Sequence, residues 1–159
     1  MLDANTAPTP AVTTALEKDE FGEKFDEKWE YPSVIGMLLY LSGNSRPDIA
    51  FAVNQCARFT HNPRKIHATA VKRVLRYLKV TSEQGLILQP NPNYKLDCYV
   101  DADFAGLWSV GNDQDPISVK SRSGFVITFM ECPITWSSNY KPKLPYQQWK
   151  QSILAFLHP

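Results

Sequence analysis

From Tyr31 to Lys79 apolar residues recur every three or four positions, and after Val80 the period shortens to two. The first stretch predicts helices and the second strands. Tyr31-Pro32-Ser33 opens a helix through Val34, Ile35, Met37, Leu38, Leu39 and Leu41, and Gly43-Asn44-Ser45 ends it. Ser45-Arg46-Pro47-Asp48 predicts a second start: a hydroxyl cap, a proline in the first turn, and an acid at the positive end of the dipole. That helix runs to about Phe59, and His61-Asn62-Pro63 breaks it. A third follows from about Arg64 to Lys79, with Ile66, Ala70, Val71, Val74, Leu75 and Leu78 as its apolar stripe. Strands are expected at Gly85 to Leu88, Leu96 to Asp101, Gly124 to Met130 and Ile134 to Ser137. Leu96, Cys98 and Val100 share one face and Tyr99 takes the other. Glu131-Cys132-Pro133 is short enough to make the last two strands neighbours, and Leu96 to Asp101 is expected to pair antiparallel with Gly124 to Met130. Leu107 to Lys120, rich in Gly, Asn, Asp and Pro, reads as a loop.

Residues 1–30 differ from the rest. They hold eight acids and three lysines, and residues 31–159 hold eight acids and 14 bases, so a formal net charge of +1 conceals about −5 against +6. Phe21, Phe25 and Trp29 are spaced by four and could line one weak helical stripe, but the composition favours an acidic, disordered tail. Hydrophobic residues make up 43% of the 159, enough for one core of ordinary size. Three scattered cysteines, Cys56, Cys98 and Cys132, argue against a disulfide framework or zinc site and suit a reducing compartment. No apolar run reaches the roughly 18 residues of a membrane span, and no secretory leader opens the chain. These features predict an intracellular chain, cytoplasmic or nuclear, without a membrane partner. They leave its oligomeric state open.

Between Ile49 and Ser82 there is no acid. Lys65, Lys72, Arg76 and Lys79 fall on one helical face opposite the apolar stripe, with Arg73 beside them. Such a face can neutralise a row of phosphates, four contacts giving a log–log salt slope of about −3.6 on duplex DNA. The competing reading is a solvated outer face. His61 and His67 lack partners at ligand spacing and read as surface or capping residues. Tyr99-Val100-Asp101-Ala102-Asp103 ends a strand with carboxylates. Asp101 there could reach a hard cation through oxygen or simply form a turn.

YPSVIGMLLYL (31–41), RPDIAFAVNQCARF (46–59), KRVLRYLK (72–79), CYVDADFAG (98–106), SRSGFV (121–126) and ITWSS (134–138) together resemble, in order and spacing, the C-terminal part of copia-type LTR retrotransposon Pol polyproteins. The resemblance covers about residues 31–140. It implies an α/β (α+β) chain, with connecting helices from the end of the reverse transcriptase (31–82) followed by an incomplete ribonuclease H-like mixed sheet (83–140). The polymerase palm would lie upstream. The family degrades RNA in RNA–DNA hybrids with two Mg²⁺ ions held by a small set of acids. Asp101 matches the first of these, and Asp103 matches a family position without being assigned to metal. The implied partner is an RNA–DNA hybrid or other nucleic acid, met through Lys65, Lys72, Arg73, Arg76 and Lys79.

The chain departs from the family after Trp136. The next family acid lies on a helix in a stretch like ALSTMEAEYIALS, but Lys143 to Pro159 reads KLPYQQWKQSILAFLHP, with no acid after Glu131. Read from the third base of each codon, Trp149 followed by Lys150 forces Glu, and Pro145 to Pro159 can be back-translated as LSTMEAEYIGLSP. Residues 141–159 are therefore read as a frameshifted tail, with Trp149, Ile153, Phe156 and Leu157 at helical spacing. The expectation is a catalytically inactive fragment with Asp101 as a remnant acid and no stably bound Mg²⁺. The alternatives are a non-catalytic nucleic-acid-binding remnant using the basic helix 63–79, or a relic without selected function. A sheet missing later elements would expose apolar surface and an edge.

Overall fold

Proline suits the first turn of a helix because its missing N–H would lack an intrahelical partner there. Tyr31-Pro32 accordingly begins α1 (Tyr31–Asn44) in the computed structural model, which describes residues 5–14, 16–102 and 121–140. Tyr31, Ile35, Leu38 and Ser42 form its buried stripe. Ser45 closes α1, its N–H donating to the Leu41 carbonyl, rather than capping the next helix as its hydroxyl suggested. A 3-10 turn over Pro47–Ile49 leads instead into α2 (Ala50–Ala57), and Arg46, at the N-cap of that turn, makes no side-chain cap. α3 (Lys65–Val80) buries His67, Ala68, Val71 and Val74. The expected stripe holds except at Ile66, which is left exposed: Val71 and Val74 lie in the core, Ala70, Leu75 and Leu78 pack against it, and the buried face also takes in His67 and Ala68.

The core lies among these three helices, with Tyr31, Ile35, Leu38, Ile49, Val53, Cys56, Val71 and Val74 at its centre. The Tyr31 hydroxyl donates to the Cys56 carbonyl at 2.9 Å, so its burial leaves no orphan donor. Burial pushes the Cys56 thiol up to about 12, which keeps it a packing group. Arg46 pins the end of α3 to the start of α2. Its guanidinium donates to Asp48 Oδ1 at 3.0 Å and Oδ2 at 2.8 Å, and to the Thr81 carbonyl at 2.9 Å. Tyr77 donates its hydroxyl to Asp48 at 2.9 Å from the side. The hydrogen bonds from Arg46 hold the Asp48 carboxyl below the usual carboxylate range.

The acidic N-terminal segment is neither helical nor loose. Residues 16–30 run along the helices, Phe25 and Trp29 pack on the core, and Trp29 stacks on Tyr31 with ring centroids 5.8 Å apart. Phe21, the first of the aromatics spaced by four, stays in solvent. The composition argument missed this placement because it counts charge and not the contacts that Phe25 and Trp29 make with Tyr31 at the start of α1.

The second layer is a three-stranded antiparallel sheet, β1 (Leu96–Ala102), β2 (Arg122–Phe129) and β3 (Cys132–Tyr140), in the order β1-β2-β3. Both expected pairings are present, and the sheet is wholly antiparallel within the described residues. The hairpin turn is Met130-Glu131, with φ of 53° and 69°. Two residues with positive φ match the right-handed twist of the flanking strands, so Cys132 and Pro133 belong to β3. The extra residue in β3 is taken up by a register shift opposite Ile127/Thr128. Gly85 to Leu88, expected as a strand, is irregular, and Ile87 is 81% exposed. No described strand pairs with the outer edge of β1, and Pro90 and Pro92 follow at once, so that segment has no ladder to join.

One sheet face meets the helices. Trp136 donates its indole N–H to the Ser42 carbonyl at 2.6 Å, and the Arg122 guanidinium lies 4.2 Å over the Phe51 ring. On the other face Leu96 and Val100 are 65% and 71% exposed, matching the expected open apolar surface. No described helix is long and apolar enough to cross a membrane.

Candidate nucleic-acid interface and the Asp101 strand end

α3 carries its basic residues as the sequence predicts, but the acidic segment already lies against several of them. Lys65 donates to Glu23 at 2.5 Å, and Lys72 donates to Glu27 at 2.6 Å. Arg64 donates to the carbonyls of Gly22 and Glu20 at 3.3 and 3.0 Å. Arg73 donates to the Thr9 carbonyl at 3.1 Å and its hydroxyl at 2.8 Å. Arg76 lines a cavity of about 350 Å³ between residues 10–16 and helices α2 and α3. Lys79 is exposed at the last turn. The hydrogen bond from Lys72 draws the Glu27 carboxyl below its ordinary value, and that to Glu23 raises the Lys65 ammonium.

His67 locks this arrangement. It is buried, and its ring stacks on Phe59 with centroids 3.8 Å apart. Nδ1 accepts from the Arg64 N–H at 2.9 Å, capping α3, while Nε2 lies 3.0 Å from the Glu17 carbonyl and donates to it. This is the capping role expected of His67, in a buried position rather than at the surface. Both bonds need the neutral ring with its proton on Nε2, and burial holds the imidazole below its usual value. The unfolded chain therefore takes up the proton first. The stabilisation is complete above about pH 6.5 and is lost as pH falls from there toward the lower folded value. We expect a urea midpoint that drops between pH 7 and pH 5.5, reflecting a loss of at most about 1.4 kcal/mol of unfolding free energy, and a His67→Gln variant whose midpoint is flat over that interval. Equal slopes in the two chains would remove His67 from this role.

Asp101 stands in β1, one residue before its end, paired with Gly124. It is a strand residue. Alternation puts it on the face of Tyr99, Val126, Trp136 and Arg122, the face turned to the helices, and its side chain is exposed. Among the described residues no group of three or more His, Cys, Asp or Glu could hold a metal ion. Asp103, the loop at 107–120 and the tail at 141–159 lie outside the described residues. The partners that sequence reasoning missed are Glu23 and Glu27 on α3, and the Arg46–Asp48–Tyr77–Thr81 cluster. The signal for the first was the opposite charge of the two halves.

No family model matches the chain and no solved structure does. It is 36% identical over 138 residues to the retrovirus-related Pol polyprotein from transposon RE2 of Arabidopsis thaliana, covering 87% of this chain. It is 40% identical over 126 residues to the Pol polyprotein from transposon TNT 1-94 of Nicotiana tabacum, covering 79%. The chain belongs to the Pol polyprotein family of copia-type retrotransposons. It spans 9% and 8% of those two Pol polyproteins. A similar stretch accounts for 70% of secreted RxLR effector protein 161 of Plasmopara viticola, 37% identical over 108 residues and covering 68% of this Pol chain. The segments that carry the family likeness also carry the fold: RPD holds Arg46 and Asp48, and ITWSS holds the Trp136 that joins sheet to helices.

Proposed function

We propose that this chain carries the end of the reverse transcriptase region and the first strands of a ribonuclease H domain, that it contacts nucleic acid through the cations of α3, and that it does not cleave RNA–DNA hybrids. The observation that supports inactivity is the isolation of Asp101 from any metal-holding group among the described residues. Two divalent cations about 4 Å apart need bridging and flanking carboxylates. Asp101 supplies one, and the stretch where the family helix carries its next acid has none, from Cys132 to Pro159. The described residues therefore do not fit a Mg²⁺ pair, and no cleavage step is assigned to them.

The test is hybrid cleavage by the 159-residue chain in Mg²⁺. Product should stay at the level without protein, and Asp101→Asn should leave it there. Cleavage that disappears in Asp101→Asn would overturn the reading.

A further inference from the structure

We infer that residues 17–30 are an internal competitor for nucleic acid, with Glu23 and Glu27 occupying the places on α3 where phosphates would sit. The inference rests on the reading of α3 as a nucleic-acid contact and concerns the regulation of that same surface. Glu23 and Glu27 are four residues apart and meet Lys65 and Lys72, seven apart. Seven helical residues rise about 10.5 Å, and four extended residues reach about 13 Å. An extended segment thus lays successive carboxylates along the helix as a phosphate backbone would.

The segment is built to stay tethered while its charges remain exchangeable. Trp29 on Tyr31 and Glu17 on His67 anchor it at both ends. Between them, Lys65 and Glu23 are 62% and 73% exposed, and an ion pair that open contributes little to stability, whereas Lys72 and Glu27, at 33% and 30%, form the pair a phosphate displaces less readily. Tethering keeps the carboxylates at high effective concentration beside the helix. A nucleic acid must therefore exchange with them rather than fill empty sites. Phosphates that replace Glu23 and Glu27 leave those carboxylates to recover counterions, so the net release on binding is that of two contacts and not four.

The experiment measures binding of a short DNA duplex to the full chain between 50 and 200 mM salt. The unmodified chain should show a log–log slope of about −1.8, losing about 10-fold in affinity over that range, and the double variant Glu23→Gln/Glu27→Gln a slope of about −3.6, losing about 150-fold. The variant should bind more tightly at 50 mM. The Glu20 carboxylate pairs with Lys18, and it is the Glu20 backbone carbonyl, kept in the variant, that accepts from Arg64, so Glu20→Gln/Glu83→Gln, with the same change in net charge, should keep the unmodified slope. If that control steepens equally, or if the unmodified chain already has the steep slope, the competitor is overturned and α3 remains a contact surface. If neither the unmodified chain nor Glu23→Gln/Glu27→Gln binds, the reading of α3 fails and takes this inference with it.

Discussion

Arg46→Ala should lower the melting temperature by about 10 °C, the largest stability effect expected of any single substitution in the helical layer. The guanidinium is nearly buried, with 10% of its side chain exposed, and it holds a carboxylate, a carbonyl and a hydroxyl at once. Truncation leaves the Thr81 carbonyl without this donor at the end of α3 and Asp48 with only Tyr77 among these partners. Breaking a buried pair costs about 3–5 kcal/mol. Asp48 keeps 37% of its side chain in solvent, which places the loss at the lower end, about 3 kcal/mol, and in a chain of this size 1 kcal/mol moves the midpoint by about 2–4 °C. Arg46→Lys should recover less than half, since an ammonium cannot span Asp48 and Thr81 as the planar fork does. Circular dichroism melts decide the matter: a fall under about 3 °C for Arg46→Ala would make the cluster an ordinary surface pair.

Restoring the family's helix should raise hybrid cleavage above the level of the unmodified chain. The decisive chain replaces Leu144 to Pro159 with the shifted reading, which contains LSTMEAEYIGLSP, and continues through the family's remaining acids. It returns a Glu to the helix that follows the sheet. Mg²⁺-dependent cleavage of an RNA–DNA hybrid should appear, and Asp101→Asn should abolish it. A repaired chain that folds, by its far-ultraviolet spectrum and a cooperative melt, yet stays inactive would show that Asp101 is not the family's first acid. The coding DNA offers a second check, because the reading-frame shift would lie between about Tyr140 and Pro145.

The helices and strand pairs were legible because each is set by local period. Ile35 and Leu38 on α1, and Val71 and Val74 on α3, repeat at helical spacing, while β2 and β3 are joined by a turn too short for anything but neighbours. What escaped was set by partners distant in sequence. Gly85 to Leu88 has the composition of a strand, yet a strand exists only where a neighbouring ladder accepts it. The buried face of α3 also takes in His67, polar by type, through two hydrogen bonds whose partners are Arg64 and Glu17. Ser45 has the chemistry of a cap, but Arg46 ties Asp48 to the end of α3 and leaves Ser45 closing α1. Asp101 was legible as a position, from its strand and its motif. The charge state of the α3 surface was not, because no period links Glu23 to Lys65 across 42 residues.

That separation also sets an order of events during synthesis. The carboxylates of residues 17–30 leave the ribosome before the cations they will meet, and at 5–20 residues per second a gap of about 40 residues lasts roughly 2–8 s. Through that interval Glu23 and Glu27 are without the α3 lysines they pair with in the folded chain. When α3 emerges, a ready-made counter-charge is attached to the same chain, so the helix meets its own carboxylates before it has diffused to any cellular polyanion.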